Sequence, residues 1–390
     1  MAKRLGMEVS LAIGEAAKLA NVDVVAAYPI TPQTHIVEHL AELVADGELD
    51  AAYIPVESEH SAMSACLGAS AVGARAFTAT AGQGLELMHE VLYVAASMQL
   101  PIVMAVANRA LSSPLSVWGD HSDAMAVRDT GWIQIFTENG QEVFDNVLCA
   151  FRIGEDKRVL LPVMVHLDGF HLSHMIEPIL IEDKEKVDKF LPKNDYPLPL
   201  DPAKPVSMGT FAPPIIYSEA KKAQEINLEK SKDVVIEAWK EFAGIFGRQY
   251  KPVETYRGED ADVLLMTMGS FSETAMAAID KMRDDGRSVG LVRLRLWRPF
   301  PTEELRLAVQ NAGTLVVFDR ALSLGGQAGP VCSEVRSALY NEAQKPKVVN
   351  IIGGLGGRDV TVAGFEEIIN MGVAMAEKGI GEFQIYGVRG

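Results

Sequence analysis

Four short segments within the first 110 residues carry residue types suited to acid–base chemistry and carboxylate binding. Val56-Glu57-Ser58-Glu59-His60-Ser61-Ala62 places two carboxylates and an imidazole directly after an apolar run. Ser58 can cap a following helix with acids in its first turn, which would explain the segment structurally. Alternatively, one glutamate is buried and handles a proton, because desolvation raises a carboxyl pKa toward neutrality. Tyr28-Pro29-Ile30-Thr31-Pro32-Gln33-Thr34 reads as a strand-to-helix junction. Pro32 suits the first helical turn and Thr31 the cap, and such a helix start also favours a carboxylate or phosphate. In Thr78-Ala79-Thr80-Ala81-Gly82-Gln83-Gly84-Leu85 the glycines permit close backbone approach or positive φ. The run is neither a dinucleotide fingerprint nor a Walker loop. Asn108-Arg109 closes an apolar run, where an arginine must be paired or solvated. A structural ion pair would satisfy it, and so would a bound carboxylate held bidentately.

Other chemistries find little support. All eight histidines lie at or before His174, and His35 and His39 are spaced i,i+4 without the His-Glu-x-x-His pattern. His166, His171 and His174 lie near Asp168, but no metal site is expected in this chain. Cys66, Cys149 and Cys332 are far apart and form no CxxC, which argues against disulfides, zinc and iron–sulfur ligation by this chain alone.

The elements around these segments read as two α/β blocks. Apolar strands are expected at 22–27, 52–56, 74–80, 101–107, 132–137 and 159–166, with helices at 7–20, 33–46, 59–72, 83–98 and 140–153. Strands apolar on both faces and separated by helix-length segments indicate a parallel sheet covered on both sides. Ligands of such sheets bind at the carboxyl ends of the strands, where the four segments fall. A first domain is expected over 1–185. Residues 186–255 form a Pro-rich arm, with Pro192, Pro197, Pro199, Pro202, Pro205, Pro213 and Pro214, followed by a linker helix at 229–246. A second α/β domain is expected over 256–390, with strands at 263–267, 288–295, 314–318 and 347–352 and helices at 272–284, 302–311, 327–343 and 363–377. Gly353-Gly354-Leu355-Gly356-Gly357 fits no phosphate-binding template and reads as a loop.

The 390 residues suffice for two or three cores, and 48% hydrophobic with 23% charged is ordinary for a globular protein. A net charge of −16 argues against nucleic acid or an anionic membrane as partner. No leader and no run of membrane-spanning length is read, so a cytoplasmic protein is expected.

Taken together and in order, these segments resemble the alpha subunit of the pyruvate:ferredoxin oxidoreductase (pyruvate synthase) family of 2-oxoacid:acceptor oxidoreductases. The likeness is carried by Tyr28-Pro-Ile-Thr-Pro32, Glu57-Ser-Glu-His-Ser-Ala62, Gln83-Gly-Leu85, Asn108-Arg-Ala-Leu111, Trp118-Gly-Asp-His-Ser-Asp123, Asp129-Thr-Gly-Trp-Ile-Gln134 and Asp168-Gly-Phe170. It continues through Pro205-Val-Ser-Met-Gly209, Arg298-Pro-Phe-Pro301 and Gly353-Gly-Leu-Gly-Gly-Arg-Asp359 and covers nearly the whole chain. It implies two α/β domains of the thiamine-diphosphate (transketolase-like) type joined by the arm, and oxidative decarboxylation of a 2-oxoacid, pyruvate first, to acyl-CoA and CO2. Thiamine diphosphate is shared with a beta subunit, Mg2+ and iron–sulfur clusters lie in partner subunits, coenzyme A is a substrate, and electrons pass to ferredoxin or another acceptor. Beta, gamma and delta-type subunits in a dimer of heteromers are the implied partners.

The resemblance also implies roles. Glu59 is the catalytic contact to the aminopyrimidine. Tyr28, Pro29 and Glu57 adjoin the cofactor, Glu57 without an assigned role. Thr31 and Arg109 hold the substrate carboxylate, beside Gly82 and Gln83. The family usually has Ser at the position of Gly82, and a larger residue than Gly119 is frequent. If both face the pocket, the glycines leave room for a bulkier 2-oxoacid such as phenylglyoxylate, which is the alternative substrate. A non-catalytic structural subunit is the rival reading, against which the joint retention of Glu59, Thr31 and Arg109 speaks.

Overall fold

A computed structural model describes residues 2–389. Its strands, in chain order, are β1 (Lys3–Glu8), β2 (Val24–Ala27), β3 (Ala52–Pro55), β4 (Ala76–Thr80), β5 (Ile102–Asn108), β6 (Ile133–Phe136), β7 (Val163–Asp168) and β8 (Ile176–Ile181). They continue with β9 (Val253–Tyr256), β10 (Val263–Thr267), β11 (Val289–Leu294), β12 (Leu296–Arg298), β13 (Thr314–Asp319), β14 (Lys347–Ile352) and β15 (Gln384–Ile385).

A seven-stranded sheet has the order β12-β6-β7-β5-β4-β2-β3, parallel except for β12. Every residue of β5 is buried. Its alternating side chains feed two cores: Val103, Ala105 and Ala107 one, Ile102, Met104 and Val106 the other. The first core is closed by the helices Val9–Leu19, Thr34–Ala45 and Gly140–Gly154, the second by Glu59–Ala71 and His89–Ser97. A two-residue period buried on both faces is what a central parallel strand demands. The second, six-stranded sheet has the order β15-β14-β13-β10-β11-β9, with only β9 antiparallel.

Several local expectations are corrected. The helix expected at 229–246 begins at Pro214 and runs 33 residues to Phe246, ending on left-handed Gly247. Only its second half is apolar on one side, with Val234, Val235, Ala238, Trp239 and Phe242 buried, so periodicity hid the exposed first half. Pro213 and Pro214, read as part of the extended arm, are the cap and first residue of this helix. The helix expected at 83–98 is two, Gly82–Leu87 and His89–Ser97, meeting at Met88. Strands β1 and β8 pair antiparallel with each other, and β12 crosses from the second block to the edge of the first sheet; neither feature was legible in the sequence.

Candidate active site

The four segments follow β2, β3, β4 and β5, which are neighbours in the sheet, so their carboxyl ends form one rim. Gln33 ties two of them together, donating from Nε2 to the Tyr28 carbonyl (3.0 Å) and the Ala79 carbonyl (2.7 Å). Gln33, not Thr31, is the residue before the helix at Thr34, and its side chain makes no cap. Thr31 and Pro29 are exposed and Tyr28 half-buried.

Ser58 caps the helix Glu59–Ala71, its Oγ accepting from the Ser61 amide at 3.3 Å. That cap turns the two glutamates apart. Glu57 is exposed and accepts from Ser61 Oγ, which holds its carboxyl below its ordinary pKa. Glu59 is 5% exposed, and its carboxylate has no hydrogen-bond partner among the described residues. A Cβ on Gly84 would stand 2.5 Å from Glu59 Oε1 and 2.6 Å from Thr80 Oγ1. Thr80 Oγ1 and the neighbouring Gln83 Oε1 are buried polar atoms without partners, while Gln83 Nε2 reaches Ser112 Oγ at 3.0 Å. Buried polar atoms without partners, such as Thr80 Oγ1 and Gln83 Oε1, are costly unless a ligand completes them.

Arg109 lies across the same rim. Its Nε donates to the Ser116 carbonyl (2.8 Å) and its Nη1 to the Thr31 carbonyl (3.0 Å). No carboxylate of the described residues pairs with it, so the structural ion pair considered for this arginine is absent, and Nη2 is without a partner. Burial lowers its pKa, opposed by Asp123, yet a guanidinium stays cationic at neutral pH. Thr31 thus meets Arg109 through its backbone.

Asp123 holds this rim together and was missed as a site residue. Its carboxylate accepts from the Gly82 amide (3.0 Å), the Arg109 amide (2.9 Å) and Asn108 Nδ2 (2.9 Å). Burial pushes its carboxyl up to about 7, against the pull of those donors. The Trp118–Asp123 motif contained it, but sequence could not say which of its two acids, both buried, gathers the rim amides.

The two glycines do not enlarge the pocket, which corrects the expectation placed on them. Gly82 has φ +48°, and a Cβ there would meet Arg109 Cδ at 3.0 Å and Cγ at 3.1 Å. The space is filled by the arginine stem. At Gly119 a Cβ would meet the Gly169 carbonyl at 2.7 Å and the Asn108 carbonyl at 3.1 Å, so backbone packing demands glycine there.

Behind the rim, the second block is clamped to the first. Asp168, at the end of β7, accepts from His121 Nε2 (3.0 Å), Ser270 N (2.8 Å), Ser270 Oγ (2.7 Å) and Arg320 Nη1. Burial opposes its ionisation, but Arg320 and His121 outweigh it and hold the carboxyl well below the usual range. Arg320 Nη2 also donates to the Gly119 carbonyl (3.0 Å), and the Gly356 amide to Asp120 Oδ2 (3.0 Å). The glycine loop thus packs on the Trp118–Asp123 motif, and His166, His171, His174 and Asp168 do not converge on a common centre.

Residues 15–240 match the model of the family "Pyruvate flavodoxin/ferredoxin oxidoreductase, thiamine diP-bdg", and residues 261–365 that of "Pyruvate:ferredoxin oxidoreductase core domain II". The chain is 52% identical to pyruvate synthase subunit PorA of Methanothermobacter thermautotrophicus, covering 92% of both chains. It is 48% identical to ketoisovalerate oxidoreductase subunit VorA of Pyrococcus horikoshii, over 89% of this chain and 88% of that one. Among solved structures it is similar to 2-oxoglutarate:ferredoxin oxidoreductase of Magnetococcus marinus, with a TM-score of 0.73 at 19% identity, over 95% of this chain and 65% of that one.

Proposed function

The chain belongs to the pyruvate flavodoxin/ferredoxin oxidoreductase family, and from that membership we propose that its Glu59 pocket is the aminopyrimidine side of a thiamine diphosphate site. The protein is the alpha subunit of a CoA-acylating 2-oxoacid oxidoreductase, which converts a 2-oxoacid to acyl-CoA and CO2 and passes electrons to ferredoxin. Pyruvate is the favoured substrate, on the 52% identity to a pyruvate synthase subunit. The packed Gly82 and Gly119 remove the argument for phenylglyoxylate.

The observation that carries the site is the partnerless carboxylate of Glu59, seated against Gly84 beside the partnerless Thr80 Oγ1. An aminopyrimidine edge fits it, because its ring nitrogen would supply the missing partner. Bound there, thiamine diphosphate supplies a nucleophilic carbon and an electron sink for decarboxylation. Glu59 holds a proton at the ring nitrogen and relays its acid–base state. The free Nη2 of Arg109 takes the substrate carboxylate, with the guanidinium pre-oriented by the Ser116 and Thr31 carbonyls. Tyr28, Pro29, Thr31 and Gln83 line the approach, and Glu57, turned outward, faces whatever covers the rim.

The cofactor's diphosphate, Mg2+ and the iron–sulfur clusters reside in partner subunits of beta, gamma and delta type, assembled as a dimer of heteromers in the cytoplasm. No helix of the described residues is long and apolar enough to cross a membrane. Burial pushes the Cys66 and Cys332 thiols up to about 12 and also raises Cys149, which suits inert core thiols. Co-expression with candidate partner subunits tests the reading. The assembled complex should reduce ferredoxin with pyruvate and CoA, and this chain purified alone should be colourless and inactive. Iron–sulfur absorbance in the isolated chain, or an assembled complex inert toward every 2-oxoacid tried, would overturn it.

A further inference from the structure

Three chain segments bring together a carboxylate and two imidazoles that the proposed reaction does not use. Glu8 ends β1, His35 lies in the first turn of the helix Thr34–Ala45, and His174 lies in the turn between β7 and β8. One ligand atom of each lies within 4.8 Å of the others. Glu8 Oε1 and His35 Nδ1 are 2.6 Å apart, and the rings of His35 and His174 have centroids 4.7 Å apart, tilted at 42°. Tertiary structure alone makes this cluster, since i,i+4 spacing had paired His35 with His39, which turns instead to Glu15 at 3.1 Å.

We propose that Glu8, His35 and His174 form a binding site for a divalent first-row metal ion of the zinc type. Zinc takes imidazole nitrogen at about 2.0–2.1 Å and carboxylate oxygen at about 2.0–2.2 Å, so tetrahedral ligand atoms sit roughly 3.3 Å apart. Modest side-chain rotation brings the three from their present positions to that spacing. Two nitrogens and one oxygen suit zinc and not calcium or magnesium, which prefer oxygen alone. The surroundings supply what a ligating histidine needs. His174 Nδ1 lies 2.7 Å from Ser173 Oγ, which leaves Nε2 as the ring's ligand atom. Ser173 Oγ already accepts the Phe170 amide at 2.9 Å and is itself anchored in a buried residue. A bonded outer nitrogen fixes tautomer and ring orientation. The His35 side chain is 43% exposed and that of Glu8 21%, leaving an entry path and a coordination position for water. Occupied, the site would staple β1 to the helix that begins three residues after Thr31.

The test uses the full chain, stripped with chelator and titrated with Zn2+ against a chromophoric competitor, with Co2+ as a spectroscopic probe. Wild type should bind one Zn2+ per chain, melt at higher temperature with the metal, and give a visible Co2+ band. His35→Ala and His174→Ala should each weaken Zn2+ binding by about 100-fold or more, beyond the roughly 10- to 100-fold typical of losing an outer-shell partner. Glu8→Gln keeps the shape if a histidine variant misfolds, and it should abolish the Co2+ band while melting normally without metal. Less than one equivalent bound by wild type, or unchanged affinity in Glu8→Gln, would overturn the proposal and leave the cluster an ordinary ion pair.

Discussion

Gly84 and Glu59 are matched by subtraction: a Cβ at position 84 would stand 2.5 Å from Glu59 Oε1 and 2.8 Å from its Cγ. The proposed catalytic carboxylate occupies its place only because residue 84 has no side chain. Gly84→Ala should therefore shift the carboxylate without removing it. Misplacement on the scale of 1 Å can cost on the order of 100-fold in rate. We expect assembly of the complex to persist, turnover to fall by about 10- to 100-fold, and thiamine diphosphate to bind more weakly. Wild-type kinetics in Gly84→Ala would mean that the reaction does not depend on the placement of this carboxylate.

Within the acid pair, burial discriminates. Glu59→Gln keeps size and hydrogen bonding but removes the ionisable group, and turnover should drop by about 100-fold or more, the scale of acid–base catalysis. Glu57→Gln, exposed and bonded to Ser61, should leave turnover within a factor of a few. The reverse ranking, measured by ferredoxin reduction in the assembled complex, would exchange the two assignments.

At Arg109 the prediction concerns KM. Lysine cannot reproduce a fork that is oriented by two carbonyls and still presents a free nitrogen, and a charge-assisted bond is worth about 1.5–3 kcal/mol. Arg109→Lys should raise KM for the 2-oxoacid by roughly tenfold or more. Gly82→Ser should also weaken binding, because serine is strained at φ +48° and presses on the arginine stem. Since it acts through Arg109, its effect should be similar for pyruvate and phenylglyoxylate. A penalty confined to the aromatic substrate would show that position 82 bounds the pocket after all.

A fourth prediction follows from His166. Its ring is fully buried and Asn108 Nδ2 donates to Nδ1 at 3.2 Å, so protonation would set a second N–H against that donor with no acceptor to take it. Burial, aided by the nearby His121 and opposed by Asp168, pulls its pKa from 6.5 down to about 3. The unfolded chain therefore binds this proton first. The stabilising effect of the neutral ring is complete above about pH 6.5, declines as pH falls, and levels off below about pH 3. Denaturant unfolding of the full chain at pH 4–7 should show this slope, and His166→Gln should reduce it by at most about 1.4 kcal/mol per pH unit. An unchanged slope in the variant would remove His166 as its source.

The sequence by itself determined the α/β character, most strand positions and the segments that carry the rim. Buried parallel strands must be apolar at every position, and polar strand-to-helix turns are confined to sheet ends, so both leave marks in a linear reading. Resemblance supplied the chemistry. Tertiary structure decided the rest, because it depends on neighbours distant in the chain. Of two glutamates a residue apart, the Ser58 cap buries one and turns the other out. Whether a glycine opens a pocket depends on what packs against it, and Arg109 fills the space at Gly82 while the Gly169 carbonyl fills it at Gly119. Asp123 draws the Gly82 and Arg109 amides onto one carboxylate, and Asp168 meets Arg320 across 152 residues. Glu8 meets His35 and His174 only once β1 has paired with β8. Contacts of that range are set by packing between layers, which no spacing along the chain encodes.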